Sequence, residues 1–257
     1  MALQEEFRSQ GDFLFRYRSY LPLVILVLGY AVFVREQFAN IEIAETLWSD
    51  IFPFVCLGIG LLGFFIRANT VGHTPKNTSG RNTKEGQVAK VLNTSGMYSI
   101  VRHPLYLGNF FMWLSICMLT VNLWFIIAFV LLFVVYYERI MFAEEYFLRS
   151  RFGEPYHTWA AKTPAFIPNL KKYKSAHYPF SLIKIMKKEK NGFAALFALF
   201  WLFNFTKECI EEQAIILKID FWFIAALTTG ILYLMLKVAK KRKLLDLVSV
   251  PKTTVSK

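Results

Sequence analysis

Residues 98–109 read Tyr-Ser-Ile-Val-Arg-His-Pro-Leu-Tyr-Leu-Gly-Asn, and the apolar run that starts at Leu105 continues to residue 119. Pro104 fits the first position of a helix, because a residue without a backbone N–H loses no hydrogen bond there. The stretch therefore predicts a membrane helix that begins at Pro104, with Arg102 and His103 at its entrance. A helix N-terminus favours an anion, and Gly108 lets a ligand or another helix approach closely. A basic residue that only caps a membrane helix is also typical of this pattern.

The composition indicates a membrane protein. Of the 257 residues, 55% are hydrophobic and 17% are aromatic, which is unusual in a soluble domain. A helix needs about 20 apolar residues to cross a bilayer. Apolar runs that approach this length predict six spans, at about residues 20–34, 47–66, 105–119, 123–137, 193–205 and 221–238. We expect an all-α fold, a multi-span transmembrane helical bundle that forms a single integral membrane domain over residues 1–257.

Charge and cysteine content exclude two classes of function. The net charge is +12, but the basic residues lie in the connections between apolar runs, where the topology rule and anionic lipid head groups account for them. Nucleic-acid binding is therefore not expected. The cysteines, Cys56, Cys117 and Cys209, are odd in number and far apart, so they predict neither a disulfide framework nor a metal site.

The charges of the connections predict the orientation in the membrane. The connections at residues 35–50 and 208–220 are mostly acidic, whereas residues 67–102, 139–190 and 237–243 are rich in Lys and Arg. Basic connections face the cytoplasm. We therefore expect a multi-pass protein with both termini and all the large polar regions, including any active site, on the cytoplasmic side.

Three polar regions share that side. Residues 69–93 are either a long ordered loop that binds a ligand or a solvated linker. The fourth span should continue as a helix to about residue 148, so that Glu145 can pair with Arg149 one turn on; its carboxylates indicate either a functional site or a solvated helix end. Residues 152–168 are punctuated by Gly and Pro and should fold back, with their aromatic side chains either on the membrane surface or over the site. Residues 178–186, followed by lysines, predict an interfacial segment.

Several motifs in order resemble a known family. They are Gly96-Met97-Tyr98, then Arg102-His103-Pro104-Leu105-Tyr106 with Gly108, a helical hairpin, Glu144-Glu145, Phe-Gly-x-x-Tyr at 152–156 and Thr-Pro-x-Phe-Ile-Pro at 163–168. The sequence resembles the integral membrane methyltransferases of the isoprenylcysteine carboxyl methyltransferase type, which include phospholipid methyltransferases. The resemblance covers residues 87–168 as a methyltransferase core. Residues 169–257 are left as a C-terminal interfacial segment and two further spans.

The resemblance implies a cofactor, S-adenosylmethionine, bound on the cytoplasmic side. The matching cofactor-binding positions are Lys90, Val91, Leu92, Asn93, Tyr98, His103, Pro104, Leu105, Tyr106, Glu144 and Glu145. The implied catalytic residues are Arg102, Arg139 and Glu145, with Arg139 at the acceptor and one glutamate of the pair at the cofactor. The loop at residues 72–84 has no matching counterpart.

The chemistry of methyl transfer needs the same residue types. Displacement at a sulfonium requires two positioned reactants and the exclusion of water. A carboxylate stabilises the cationic donor, and an arginine binds a carboxylate or phosphate as a planar fork. The basic residues therefore favour an anionic lipid or lipid-linked acceptor.

Two other classes share part of this pattern. Membrane sterol reductases, which use NADPH, have a similar bundle core, but their corresponding element usually has Asn where this chain has Pro104. A non-enzymatic transporter or scaffold is the second alternative. The span interiors carry almost no charged residues for a translocation path, which disfavours a transporter.

Overall fold

The computed structural model describes residues 2–18, 20–39, 51–75, 81–83 and 86–247. Part of the acidic connection at 35–50 and part of the polar loop at 69–93 lie outside the described residues. The helices are α1 (Leu3–Arg16), α2 (Leu21–Ala39), α3 (Phe52–Gly72), α4 (Pro104–Met118), α5 (Leu123–Phe152), α6 (Glu154–Ala160), α7 (Leu182–Glu211), α8 (Phe221–Lys241) and α9 (Leu244–Leu247). Two short antiparallel strands, β1 (Arg81–Thr83) and β2 (Gly86–Val88), pair between α3 and α4.

The predicted helical bundle is confirmed. Five of the described helices, α2, α3, α5, α7 and α8, are long and apolar enough to cross a membrane. The remaining predicted span, at residues 105–119, is α4. It is an apolar helix of 15 residues, which is about 22 Å long at 1.5 Å per residue. Helix α4 begins at Pro104 with His103 as its N-cap, as the sequence predicted.

Helix α4 lies at the centre of the bundle and packs on both sides. Its residues Ile116 and Leu119 belong to a buried cluster with side chains of α2, α3, α7 and α8. Tyr106 and Cys117 belong to a second buried cluster with α1, α2 and α5. A short turn joins α4 to α5, and the Asn122 side chain there accepts a hydrogen bond from the backbone N–H of Phe125. Helix α4 thus packs against α1, α2 and α5 in one cluster and against α2, α3, α7 and α8 in the other.

Glycines allow α3 and α4 to touch at the level of the site. A Cβ added at Gly63 would lie 2.5 Å from the carbonyl oxygen of Gly108, and one added at Gly108 would lie 2.5 Å from Cγ of Arg67. These distances are too short for real carbon atoms. The close approach brings the Arg67 side chain across the surface of α4.

Two helices extend beyond their predicted limits. Helix α5 continues to Phe152, where Gly153 ends it with a φ of 57°. Helix α7 begins at Leu182, so the expected interfacial segment and the fifth span form one continuous helix; no proline separates them. Helix α1, which precedes the first predicted span, packs against α5, and its Gly11 lies against the backbone of Arg139.

Residues 161–169 fold back onto the entrance of α4. The backbone N–H groups of Arg102 and His103 donate to the carbonyl oxygens of Pro164 (2.8 Å) and Ala165 (3.2 Å), and Asn169 N–H donates to Ile100 (2.9 Å). The prediction that residues 152–168 fold back is confirmed. The short helix α6 forms the first part of this range. Because both backbone groups before Pro104 are paired, the conformation of the entrance is fixed.

Candidate active site

His103 lies between two carboxylates of α5. Its Nε2 is 2.8 Å from Oε1 of Glu145, and its Nδ1 is 3.6 Å from Oε2 of Glu144. The His103 side chain is 4% exposed. The hydroxyl of Tyr106, one turn into α4, donates to Oε2 of Glu144 at 2.8 Å. Neighbouring glutamates can both reach His103 because α5 runs beside the entrance of α4.

Arg102 ties the same cluster to the returning segment. Its Nε and Nη2 donate to the two carboxylate oxygens of Glu145, at 2.8 and 3.2 Å. Its Nη1 donates to the carbonyl oxygens of Ala160 (3.0 Å) and Thr163 (2.7 Å). Glu145 is thus bound by Arg102 and His103 rather than by Arg149, the partner that helix spacing suggested. Arg102 has an anchoring position, because four donor contacts hold its guanidinium.

The electrostatics favour a protonated His103. Burial alone lowers the pKa of His103, but the hydrogen bonds and negative charges of Glu144 and Glu145 outweigh it, so the pKa lies above the ordinary value of 6.5. With His103 charged, the two carboxylates balance Arg102 and His103. Such a group of buried charges can remain ionised because each is paired.

A first cavity opens beside this cluster. Its walls come from the segment after β2, the entrance of α4, the end of α5, and α6. The lining residues are Val88, Ala89, Val91, Leu92, Asn93, Tyr98, Arg102, His103, Glu144, Glu145, Phe147, Leu148, Tyr156 and Trp159. The space between them is about 510 Å³ with its open mouth included, but only about 30 Å³ is available to the centre of a water-sized molecule. The walls therefore lie close together.

The polar groups of the first cavity are nevertheless suited to a ligand with hydrogen-bonding groups. The hydroxyl of Tyr156 is buried and has no hydrogen-bond partner among the described residues. Burial, and then the charge of Glu145, raise the pKa of Tyr156, so this hydroxyl keeps its proton as a donor. The indole N–H of Trp159 is already used, since it donates to the carbonyl oxygen of Tyr98 at 2.9 Å. An unpaired buried hydroxyl is costly and could be satisfied by a ligand.

A second cavity borders the same cluster. Of its space, about 320 Å³ is available to a water-sized molecule. Four residues line both cavities: Tyr98, Arg102, His103 and Glu144. The other lining residues of the second cavity are Arg18, Pro22, Arg67, Pro104, Leu105, Tyr106, Asn109, Trp113 and Tyr137. Two ligands, one in each cavity, could therefore contact one set of polar side chains.

Most of the residues proposed from sequence come together here. Val91, Leu92, Asn93, Tyr98, His103, Glu144 and Glu145 line the first cavity, and Pro104, Leu105 and Tyr106 line the second. Lys90 is exposed and lines neither of these two cavities.

Arg139 also lies apart from both cavities. Its Nη1 donates to Glu138 at 2.9 Å and its Nε to Gln10 at 3.3 Å. Its guanidinium carbon is 3.5 Å from the ring centroid of Phe7 on α1. Contact of Arg139 with an acceptor stays a prediction, and the position gives it no support, because α1 covers this face of α5.

Sequence reasoning missed several lining residues. Tyr156 and Trp159 had been assigned only to the covering segment. Arg67 had been counted only as a loop charge, although an arginine in the last turns of an apolar helix marks a functional site by default. Glu189 was also missed. It lies in a run of lysines, which is typical of an exposed segment, but its side chain is buried (4% exposed).

Comparison with known proteins identifies the family. The sequence profile of a family described as phospholipid methyltransferase matches residues 56–155. A protein-S-isoprenylcysteine O-methyltransferase of Schizosaccharomyces pombe is 30% identical over 120 residues, 46% of this chain and 50% of that protein. A cobalt-zinc-cadmium resistance protein of Cupriavidus metallidurans is 30% identical over 171 residues, 65% of this chain and 71% of the relative. The chain belongs to the integral membrane methyltransferases of the phospholipid and isoprenylcysteine type.

This membrane methyltransferase also resembles a nickel-cobalt-cadmium resistance protein of Alcaligenes xylosoxydans xylosoxydans, at 31% identity over 131 residues, 50% of this chain and 57% of the relative. The chain spans about half the length of that protein and of the yeast methyltransferase. No solved structure matches. Family membership supports an enzyme of methyl transfer, and the apolar helices support an integral membrane protein.

Proposed function

We propose that this methyltransferase uses S-adenosylmethionine, bound in the first cavity on the cytoplasmic side, to methylate the carboxylate or phosphate of a lipid or lipid-linked acceptor bound in the second cavity. The observation that carries the proposal is the shared wall of Tyr98, Arg102, His103 and Glu144. Methyl transfer requires donor and acceptor to meet at one place with water excluded. Four side chains that line both cavities meet this requirement.

The residues of the first cavity fit the proposed cofactor chemically. S-adenosylmethionine supplies, when bound, an electrophilic methyl group on a positively charged sulfur. Val91, Leu92 and Trp159 offer apolar and aromatic surface, and Tyr156 offers the unpaired hydroxyl. Because the walls lie close together, binding of a molecule of this size requires them to separate.

Glu144 is the carboxylate that we assign to the positive charge of the cofactor. Both oxygens of Glu145 are used by Arg102 and His103. Among the described residues, the contacts of Glu144 with Tyr106 and His103 both involve Oε2. Glu144 also lines both cavities, so its carboxylate lies where the two reactants would approach each other.

The charge state of His103 supports an anionic acceptor. The hydrogen bonds and charges of Glu144 and Glu145 raise the pKa of His103, which favours its protonated form over that of a general base. A carboxylate or phosphate acceptor needs no base, whereas an ammonium group must first lose a proton. Arg18 and Arg67 in the second cavity suit the negative head group.

Binding of S-adenosylmethionine tests this proposal. Labelled S-adenosylmethionine and NADPH are titrated separately against the purified protein. We expect saturable binding of S-adenosylmethionine only. Saturable binding of NADPH without S-adenosylmethionine would overturn the proposal in favour of a reductase, and binding of neither would remove the cofactor assignment.

A further inference from the structure

In the proposed function the acceptor binds in the second cavity. One residue of this cavity, Arg67, is positioned by helix α7, which lies outside the region that the family profile matches. Nε and Nη2 of Arg67, on α3, donate to the two carboxylate oxygens of Glu189, on α7, at 2.8 and 2.9 Å. The side chains of Arg67 and Glu189 are 22% and 5% exposed. The family profile matches residues 56–155, so Glu189 lies beyond it. A planar, two-bond contact of this kind fixes the direction of the guanidinium.

The contact continues across the bundle. Nη1 of Arg67 donates to Oδ1 of Asn109 on α4 at 2.6 Å, and Nδ2 of Asn109 donates to the hydroxyl of Tyr137 on α5 at 3.3 Å. Arg67, Asn109 and Tyr137 all line the second cavity together with His103 and Glu144. The chain of contacts thus begins at a buried carboxylate of α7 and ends at the site.

Arg67 has donor capacity left for a ligand. An arginine carries five N–H bonds, and the contacts with Glu189 and Asn109 use three of them. Arg67 itself lines the second cavity, and the contact with Glu189 fixes its guanidinium there. Arg18 lines the same cavity and adds a positive charge, so an anionic group there meets two arginines.

A third cavity continues from the same residues into the apolar part of the bundle. It is lined by Arg67, Asn109 and Trp113, which it shares with the second cavity, by the polar Lys188, Glu189 and Asn191 of α7, and by apolar residues of α4 and α7. About 270 Å³ of it is available to a water-sized molecule. The polar head and the apolar chain of one amphiphilic acceptor therefore both find complementary surface around Arg67.

We propose that Arg67 binds the anionic head group of the acceptor and that Glu189 is the positioning residue that directs Arg67 toward it, so that α7 forms part of the acceptor site. This inference rests on the proposed function, which identifies the ligand of the second cavity as an anionic lipid or lipid-linked acceptor. It transfers to Arg67 the role that the sequence suggested for Arg139, whose guanidinium is held on α1 by Gln10 and Phe7.

N-acetyl-S-farnesylcysteine is a suitable probe, because it joins a free carboxylate to an apolar chain and matches the substrate named for the yeast relative. Its binding and methylation are measured for Arg67→Lys, Glu189→Gln and Arg139→Lys in lipid nanodiscs, alongside binding of S-adenosylmethionine. Glu211→Gln is the matched control, because it breaks the Lys207 to Glu211 ion pair (2.8 Å) near the far end of α7.

We expect Arg67→Lys and Glu189→Gln to raise the probe Kd and KM about tenfold, with S-adenosylmethionine affinity within about twofold. Arg139→Lys and Glu211→Gln should leave the probe Kd unchanged. An increased Kd in Arg139→Lys alone would overturn the assignment.

The double variant Arg67→Glu/Glu189→Arg separates positioning from simple stabilisation. It can form the ion pair in reverse, so its thermal stability should exceed that of either single variant. Because the carboxylate then faces the second cavity, the probe Kd should stay high. Recovery of the wild-type Kd would show that the pair serves only stability and would overturn the inference.

The same measurements distinguish failure of this inference from failure of the proposed function. Wild-type protein that binds S-adenosylmethionine but not the probe would refute the anionic acceptor site and leave the cofactor assignment standing. Wild-type protein that binds the probe through Arg67 but not S-adenosylmethionine would refute the proposed function alone.

Discussion

His103 and Glu145, 42 residues apart in the chain, are joined by a 2.8 Å contact between Nε2 and Oε1. This contact joins the entrance of α4 to the end of α5, and Arg102 extends it to the segment after α6. The adjacent Glu144 has fewer contacts, although it lies on the same helix. The two glutamates should therefore respond differently to the same substitution.

Glu145→Gln should destabilise the protein, because it leaves Arg102 and His103 partly buried without their shared carboxylate. Breaking a buried ion pair from one side costs about 3 to 5 kcal/mol. Glu144→Gln should change the free energy of unfolding less but weaken S-adenosylmethionine binding roughly ten- to a hundredfold. Urea unfolding and cofactor titration measure the two effects. S-adenosylhomocysteine, which lacks the positive charge, should lose less affinity in Glu144→Gln, and an equal loss for both ligands would contradict contact with the sulfonium.

The stability of the protein should fall as the pH rises above the ordinary titration range of histidine. The pKa of His103 is raised in the folded protein above 6.5, so its protonated form stabilises the fold. This contribution is complete below about pH 6.5 and is lost as the pH rises through the raised pKa. Thermal unfolding as a function of pH measures it. The exposed His157 provides the control. His157→Gln should keep the pH dependence of thermal stability, and loss of this dependence in the variant would show that His103 does not cause it.

Tyr156→Phe should stabilise the ligand-free protein and weaken cofactor binding. Removal of a buried hydroxyl that has no hydrogen-bond partner among the residues the structure describes relieves a cost of about 1 to 3 kcal/mol. Tyr136→Phe is the control, because its hydroxyl donates to the carbonyl oxygen of Leu14 at 3.3 Å and its removal should cost about 1 kcal/mol. Unfolding midpoints with and without S-adenosylmethionine measure both effects. A destabilised Tyr156→Phe would mean that the hydroxyl already has a partner.

Gly108→Ala should destabilise the bundle and displace Arg67. The new Cβ would lie 2.5 Å from Cγ of Arg67 and 2.8 Å from the carbonyl oxygen of Gly63, an overlap that costs about 1 to 3 kcal/mol. At Gly58, in the same helix pair, a Cβ would meet nothing within 4 Å. Gly58→Ala should therefore stabilise α3 by about 0.5 to 1 kcal/mol. Equal effects of the two variants on thermal stability would contradict the close contact of α3 and α4.

Single cysteines test the orientation in the membrane. Leu170 follows the segment that covers the site, and Ile215 lies between α7 and α8; both are exposed (73% and 91%). In a background with Cys56, Cys117 and Cys209 replaced, we expect a membrane-impermeant reagent to label Leu170→Cys only from the cytoplasmic side and Ile215→Cys only from the opposite side. Labelling of both from one side would overturn the expected topology.

The amino-acid sequence determined the class of fold and the location of the polar chemistry along the chain. Apolar length specifies a membrane helix because backbone groups in lipid must be satisfied within the helix. Pro104 marks the start of α4 because proline is tolerated only in the first turn. The order of motifs from Tyr98 to Pro168 was enough to identify the family, and it assembled Tyr98, His103 and Glu144 correctly around one site.

Only the tertiary structure decided which side chains meet. Helices in a membrane are apolar on most of their surface, so the sequence period does not show which face of each helix turns inward. Local spacing therefore suggested Arg149 for Glu145, whereas packing pairs Glu145 with Arg102 and His103. The resemblance implied Arg139 for the acceptor; packing places Arg139 against Phe7 of α1, and its contact with an acceptor stays a prediction. The contact of Arg67 with Glu189 joins residues 122 positions apart. It depends on the close approach of α3 and α4 at two glycines and on the position of α7, which no local pattern specifies.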